Sequence, residues 1–171
     1  MNAPPAAAPA MPRRAAELVR ELALAPHPEG GYFAELYRSP RAVDPLDGRS
    51  RRSALTGVWF LMLRGQRSAW HVVDSDEIWL HFEGCDVRLW TFDAARGVVA
   101  EELLGPLAAG RSPQRIVPAG VWQAAEPLGE YSLTGACVGP GFEFTDFRML
   151  ADEPGAKAAL AGARPDLVRL L

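Results

Sequence analysis

His71 and Glu77 are the residues best suited to chemistry, and a glycine lies on either side of the pair. Five residues separate Gly65 from His71, five separate His71 from Glu77, and six separate Glu77 from Gly84. A histidine titrates near neutral pH and can accept a proton from a substrate, while a glutamate can donate one. The chemistry of the two side chains makes the pair a candidate for acid–base catalysis or metal binding.

A second short segment carries an amide and an indole behind a tight turn. It consists of Pro118, an alanine and Gly120, followed by a valine, Trp122 and Gln123. The Pro-x-Gly turn begins a new chain segment, and an aromatic wall with one amide suits a flat or sugar-like ligand. We expect Trp122 and Gln123 to contact that ligand.

The alternation of side chains along a strand predicts which other residues share the interior face. Glu35 and Tyr37 alternate with Phe33, and His81 has the same parity as Glu77. The predicted catalytic residues are therefore His71, Glu77 and Tyr37. The predicted ligand-binding residues are Glu35, Ser68, His81, Trp122 and Gln123.

The inventory of basic residues excludes several classes of protein. Arginine accounts for 17 of the 18 basic residues, and Lys157 is the single lysine. A pyridoxal phosphate Schiff base or a P-loop would need a lysine elsewhere in the chain. The net charge of -3 gives no basic field for nucleic acid, so we expect no nucleic-acid partner.

The remaining composition favours a cytoplasmic protein. Cys85 and Cys137 are too few for a disulfide scaffold and have no CxxC spacing. No apolar run approaches the roughly 20 residues that span a bilayer, so we expect no membrane partner. The first 20 residues do not match a signal peptide, because they lack a basic region followed by a long apolar one.

Short strands separated by turn residues must position these groups. Apolar spacing predicts a helix over 13–24, followed by strands over 31–38, 54–63, 78–83, 87–92, 115–117 and 131–138. Such a pattern is typical of an antiparallel sandwich or barrel. The predicted domains are a disordered leader over 1–12, a β domain over 13–150, and a helical tail over 151–171 packed on that domain.

The two motifs together resemble those of the cupin superfamily. Its first motif is glycine, five residues, His-x-His, three or four residues, glutamate, six residues and glycine; its second has Pro-x-Gly two residues before a histidine. Segments 27–39, 74–79, 118–125 and 139–147 further resemble the small single-domain cupins called cupin-5, over residues 16–150. The resemblance implies an all-β jelly-roll barrel like that of sugar-nucleotide 3,5-epimerases, with short terminal helices, and a homodimer.

The same resemblance argues against a metal centre. A metal-binding cupin offers three histidines and one glutamate, but Val73 and Gln123 stand at two of the histidine positions. Valine has no donor atom, and a glutamine carbonyl is a poor ligand for a transition metal. We therefore predict no metal and no other cofactor, with recruitment of His81 to a weak site as the alternative.

Two functions remain open from the sequence. The first is a metal-independent epimerase or isomerase acting on a small polar, sugar-like molecule, with His71 as base, Tyr37 or Glu77 as acid, and Gln123 donating to the enolate. The second is a module that binds or senses a small molecule without turnover. A buried structural role for His71, and an ion pair of Glu77 with an arginine, are the alternatives for the residues themselves.

Overall fold

The structure is a computed structural model that describes residues 11–171. The predicted disordered leader therefore lies, except for its last two residues, outside the described residues. The helices within the described range are α1 (Arg13–Glu21) and α2 (Pro154–Ala163), with 3-10 helices at Phe144–Asp146, Leu150–Asp152 and Pro165–Leu170. The strands are β1 (Ala25–Pro26), β2 (Tyr32–Arg38), β3 (Ala42–Val43), β4 (Arg52–Ser53), β5 (Thr56–Leu63), β6 (Ser68–Val73), β7 (Asp76–Gly84), β8 (Val87–Asp93), β9 (Val98–Leu104), β10 (Arg111–Ser112), β11 (Gln114–Val117), β12 (Trp122–Pro127), β13 (Tyr131–Gly139) and β14 (Phe147–Met149).

Two six-stranded sheets form the barrel. The first sheet has the order β1-β2-β5-β13-β7-β11 and the second β10-β9-β8-β12-β6-β14, while β3 and β4 form a separate pair. Neighbouring strands are antiparallel apart from the two-residue pairing of β10 with β9. The predicted all-β jelly roll with short helices at its ends is confirmed.

All six predicted strands are present, as β2, β5, β7, β8, β11 and β13. Three further strands of six or seven residues, β6, β9 and β12, were not predicted. Two of these, β6 and β12, are buried on both faces. In β6, Trp70 and Val72 pack outside the barrel, whereas His71 and Val73 line its interior. A strand that is buried on both sides lacks the apolar–polar alternation by which a strand is recognised in sequence.

The C-terminal helices cover the outer face of the second sheet. Leu160 of α2, with Leu167 and Leu170 of the last 3-10 helix, packs against Trp70 and Trp122. The Trp70 indole N–H also donates a hydrogen bond of 3.1 Å to the Leu167 carbonyl. Because this apolar layer lies outside the sheet, the inner face is left free to carry polar side chains.

Helix α1 covers part of the first sheet. Ala15 and Leu18 are its buried residues, and they pack with Leu61 of β5 and Leu133 of β13. The helix ends earlier than the predicted residue 24, because Ala23 takes a left-handed conformation with φ of 52°. No helix of the described residues is both long and apolar enough to cross a membrane.

The barrel interior is solid at one end and open at the other. Phe60, Met62, Trp79 and Leu89 belong to the inner core that fills the closed end. Phe60 and Trp79 also line a cavity on the side away from this core. The rest of its wall on these two strands is formed by residues nearer to the starts of β5 and β7, namely Thr56, Val58 and Glu77. The cavity therefore occupies the end of the barrel at which β5 and β7 begin.

Candidate functional site

The cavity has a volume of about 120 Å³ and is lined by both sheets and by the chain after β13. Glu29, His71 and Glu77 are the buried titratable groups in its wall. Glu35, Arg38 and Glu143 lie at its mouth, where their side chains are 37–44% exposed. The cavity thus has an acid–base cluster inside and a charged rim.

The orientation of His71 is fixed by its own strand. Its Nδ1 lies 2.8 Å from the carbonyl oxygen of Ala69 and must donate a proton to it, because a carbonyl oxygen only accepts. This leaves Nε2 as the basic nitrogen of the neutral ring. The ring also stacks on Phe147, with 5.3 Å between the ring centres. Burial lowers the pKa of His71, with the nearby Glu77 carboxyl acting in the opposite direction.

The Glu29 carboxyl lies beside Nε2, the basic nitrogen of His71. Its Oε2 lies 3.4 Å from His71 Nε2 and 3.6 Å from His27 Nδ1, and its Oε1 accepts a hydrogen bond of 2.9 Å from Ser68 Oγ. Burial raises the pKa of this carboxyl to about 7, although His27 and Ser68 oppose the shift. The Glu29 carboxyl can therefore gain or lose a proton near neutral pH.

A glycine pair lets the Glu29 loop enter the barrel. The loop joins β1 to β2, and Gly30 and Gly31 have φ angles of 111° and 68°. A Cβ at Gly30 would collide with the carbonyl of Arg67. The loop is also tied to β6, since the Ala69 amide donates 2.8 Å to the Glu29 carbonyl. Only glycine allows this close approach of two backbones.

Glu77 is held by a short chain of side-chain hydrogen bonds. The Gln123 amide nitrogen donates 2.5 Å to Glu77 Oε2, and the Trp79 indole donates 2.8 Å to Gln123 Oε1. Burial raises the pKa of Glu77, while His71 and the Gln123 hydrogen bond act against that shift. Among residues 11–171, Glu77 Oε1 has no hydrogen-bond donor, so this oxygen remains free for a molecule in the cavity.

The structure brings together most of the inner residues that the sequence singled out. His71 and Glu77 line the cavity. Gln123, predicted to contact the ligand, instead lies behind Glu77 and does not line the cavity, because its amide nitrogen is hydrogen-bonded to Glu77 and its oxygen to Trp79. Glu35 lies at the mouth. Ser68 is fully buried behind Glu29 and does not line the cavity, so it supports the cluster without facing a ligand.

Tyr37 and Trp122 do not face the cavity, which corrects the predicted placement of both. Leu36 is an extra residue in β2, so that Glu35 pairs with Val58 but Tyr37 pairs with the next residue, Gly57. Such a bulge reverses the alternation of side chains, and Tyr37 lies on the outer face, 49% exposed. Trp122 is buried outside the barrel beneath the C-terminal helices, because its neighbour Gln123 takes the inner face.

His81 also lies away from the cavity. It has the parity of Glu77, as predicted, but Trp79 lies between the two along β7 and closes the cavity at that point. The His81 Nε2 donates 3.1 Å to the Cys85 carbonyl at the far end of the strand. Its imidazole therefore cannot join His71 and Glu77 at one ligand.

Glu29 and His27 are the site residues that the sequence analysis missed. Both lie in a five-residue hairpin loop, where no periodic pattern indicates which side chain turns inward. The one available signal was the pair Gly30-Gly31 directly after Glu29, which indicates a backbone packed against another backbone.

The Cupin_5 family model, described as Cupin superfamily (DUF985), matches residues 16–150. The chain belongs to the Cupin_5 family. Two solved structures resemble this Cupin_5 protein along nearly its whole length. A protein from Shewanella oneidensis is 31% identical, with a TM-score of 0.78 over 92% of this chain and 96% of that one. A hypothetical protein from Leishmania major is 30% identical, with a TM-score of 0.75 over 91% and 95%.

More distant structures share only the fold. Oxalate decarboxylase from Bacillus subtilis is 18% identical, with a TM-score of 0.55 over 85% of this chain and 36% of that chain. No curated protein matches this Cupin_5 protein in sequence. A shared fold does not by itself indicate a shared function.

The donor set of this Cupin_5 protein does not fit the metal of metal-binding cupins. Val73 has no donor atom, and the Gln123 carbonyl oxygen already accepts from Trp79 while its amide nitrogen faces Glu77. Among residues 11–171, no group of three or more His, Cys, Asp or Glu side chains has a geometry that could hold a metal ion.

We expect protein purified without chelator to contain far less than one equivalent of zinc, iron, nickel or manganese, measured by elemental analysis. The double substitution Val73→His with Gln123→His should create measurable affinity for a divalent metal, because it restores two imidazoles beside His71 and Glu77. Near-stoichiometric metal in the wild-type protein would contradict this prediction.

We also expect Glu29→Gln to change how stability depends on pH. The wild-type carboxyl has a pKa of about 7 when folded and about 4.5 when unfolded, so its contribution to stability is present below pH 4.5 and is lost as pH rises through 7. The free energy of unfolding of the variant, relative to wild type, should rise by about 3 kcal/mol between pH 4 and pH 8. Urea unfolding at several pH values measures it. Glu130→Gln, which removes an exposed carboxyl, is the control, and an equal slope in both variants would refute the assignment.

Proposed function

We propose that this Cupin_5 protein binds a small molecule in its barrel and transfers protons to and from it without a metal. The observation that carries this proposal is the contact of Glu29 with His71 Nε2, on a ring whose tautomer the Ala69 carbonyl fixes. A histidine base needs a group that orients it and a carboxylate that stabilises its protonated form. The two requirements are met here by different groups, so that Glu77 is free for a second role.

The proposed step is a proton transfer at a carbon next to a carbonyl or imine. His71 Nε2 accepts the proton, the C–H electron pair forms a carbon–carbon double bond, and the carbonyl or imine electrons move to its oxygen or nitrogen. The carboxyl of Glu77, whose pKa burial raises, donates a proton to that atom. The Glu29 carboxylate stabilises the imidazolium that results. Return of the proton to another position or face would complete an isomerisation or epimerisation.

Several narrower expectations from the sequence remain part of this proposal. A sugar-like substrate and an epimerase reaction rest on the resemblance of the fold to sugar-nucleotide 3,5-epimerases. The absence of a nucleic-acid partner and a cytoplasmic location rest on composition. A module that binds its ligand in the same cavity without turnover is the alternative, and exchange of substrate protons with solvent separates the two.

In D₂O, we expect the protein to catalyse exchange of the hydrogens next to the carbonyl of cyclohexanone or dihydroxyacetone. Proton NMR measures the rate of this exchange. His71→Ala should lower the catalysed rate by roughly 10²–10⁴-fold. His81→Ala is the matched control, because it removes an imidazole of the same barrel that lies beyond Trp79, and it should leave the rate unchanged. Binding without any exchange would favour the module.

We further propose that the protein is a homodimer that packs through the outer face of its first sheet. Tyr37, Gly57, Cys137, Ile78 and Ile116 lie opposite one another across five strands, and none of these side chains is charged. Ile116 is 59% exposed and Tyr37 49%. A second copy could cover this row symmetrically, because a two-fold axis brings a face against itself.

Sedimentation equilibrium at micromolar concentration should give about twice the chain mass of 18.5 kDa. Ile116→Arg should shift the mass toward the monomer, because it places a charge within an apolar face. Leu107→Arg, at an 82% exposed residue outside the row, should leave the dimer intact. A monomeric wild-type protein would contradict the proposal.

A further inference from the structure

The size of the cavity limits its ligand to about one ring. An internal cavity of roughly 150 Å³ is enough for benzene, and the cavity here measures about 120 Å³. A nucleotide sugar has several times the volume of one ring and could place no more than one end inside. The molecule that reaches His71 and Glu77 is therefore small, or presents a single small ring to them.

The walls of the cavity favour a flat ring. Phe33, Phe60, Trp79, Phe142 and Phe147 line it. Phe60 and Trp79 meet edge to face at 5.9 Å between ring centres, and Phe142 and Phe147 meet at 6.1 Å. Flat rings fit among aromatic side chains in stacked or edge-to-face arrangements. A saturated polyol would leave its hydroxyl groups against these rings without hydrogen-bond partners.

The side chains around the cavity disfavour an anionic ligand. Glu29 and Glu77 are buried in the wall, and Glu35 and Glu143 stand at the mouth. Arg38 is the only arginine or lysine among the described residues that line the cavity. Its guanidinium already donates to Glu35 at 2.8 Å and to Glu143 at 2.9 Å. A carboxylate or phosphate would therefore enter beside carboxyl groups and find no unpaired cation.

One buried acceptor is left for the ligand. Glu77 is 7% exposed, and within the described residues its Oε1 accepts no hydrogen bond. This oxygen can take part in a hydrogen bond with a ligand, and when a ligand nitrogen takes up the Glu77 proton, the resulting N–H and carboxylate form a charge-assisted hydrogen bond. The Oε2 atom is already held by Gln123, so the position of the free oxygen is fixed.

We propose that the cavity binds a flat, single-ring molecule carrying a protonatable nitrogen, with that nitrogen donating to Glu77 Oε1 and the ring lying between the phenylalanines. This inference rests on the proposed function insofar as it takes the barrel cavity to be the ligand site. It replaces the sugar-like ligand with a flat, single-ring molecule whose protonatable nitrogen belongs to the C=N group next to the C–H bond that His71 would break.

Titration calorimetry with four single-ring probes tests the proposal: benzylamine, benzyl alcohol, benzoate and glucose. Benzylamine should bind at least about tenfold more tightly than benzoate, because a hydrogen bond to a charged group contributes about 1.5–3 kcal/mol. Glu77→Gln should lower the affinity for benzylamine by about tenfold or more and should change the affinity for benzyl alcohol by less than about threefold. Glu130→Gln, which removes an exposed carboxyl, should change neither. Glucose should not bind.

Ala136→Phe, which adds a ring to the cavity wall, locates the binding. Loss of benzylamine binding in this variant places the probe in the barrel and supports the proposal. If benzoate or glucose binds more tightly than benzylamine and is lost in Ala136→Phe, the substrate class is wrong while the barrel remains the ligand site. If no probe binds, or none is lost in Ala136→Phe, the proposed function fails together with the substrate class.

Discussion

The burial of the Glu29 carboxyl beside His71 is the constraint on which the rest of the site depends. A carboxyl removed from water is unfavourable unless other groups solvate it, and here Ser68 donates to one oxygen while two imidazoles flank the other. The loop must in turn come close enough to β6 to make these contacts, and Gly30 and Gly31 allow that approach. The carboxyl that contacts His71 thus comes from a hairpin that is distant from it in sequence.

The arrangement of apolar layers explains how the barrel tolerates so many buried polar groups. In the second sheet, tryptophans and aliphatic residues on the outer face pack beneath the C-terminal helices. In the first, part of the outer face packs beneath α1. These layers, with the solid closed end of the barrel, supply apolar burial away from the cavity. The open end can therefore hold charged and polar side chains.

Gln123 shows how a metal-site scaffold can serve another purpose. It stands where the second cupin motif has a histidine, yet its carbonyl oxygen accepts from Trp79 and its amide nitrogen donates to Glu77. The residue thereby links the closed end of the barrel to the cavity and orients the second carboxyl. A carboxyl that would otherwise coordinate a metal can then act as an acid or as the acceptor for a ligand.

The sequence predicted the all-β class and six of the strands, because strand alternation is a local property. The inward direction of His71 and Glu77 was predicted from their positions in the motif that resembles the first cupin motif. The strands β6 and β12 could not be recognised by alternation, because both of their faces are buried. Tyr37 was assigned to the wrong face because the bulge at Leu36 depends on pairing with β5. Glu29 was missed because a loop has no period, and its inward turn is decided only by packing against the Arg67 carbonyl and Ser68.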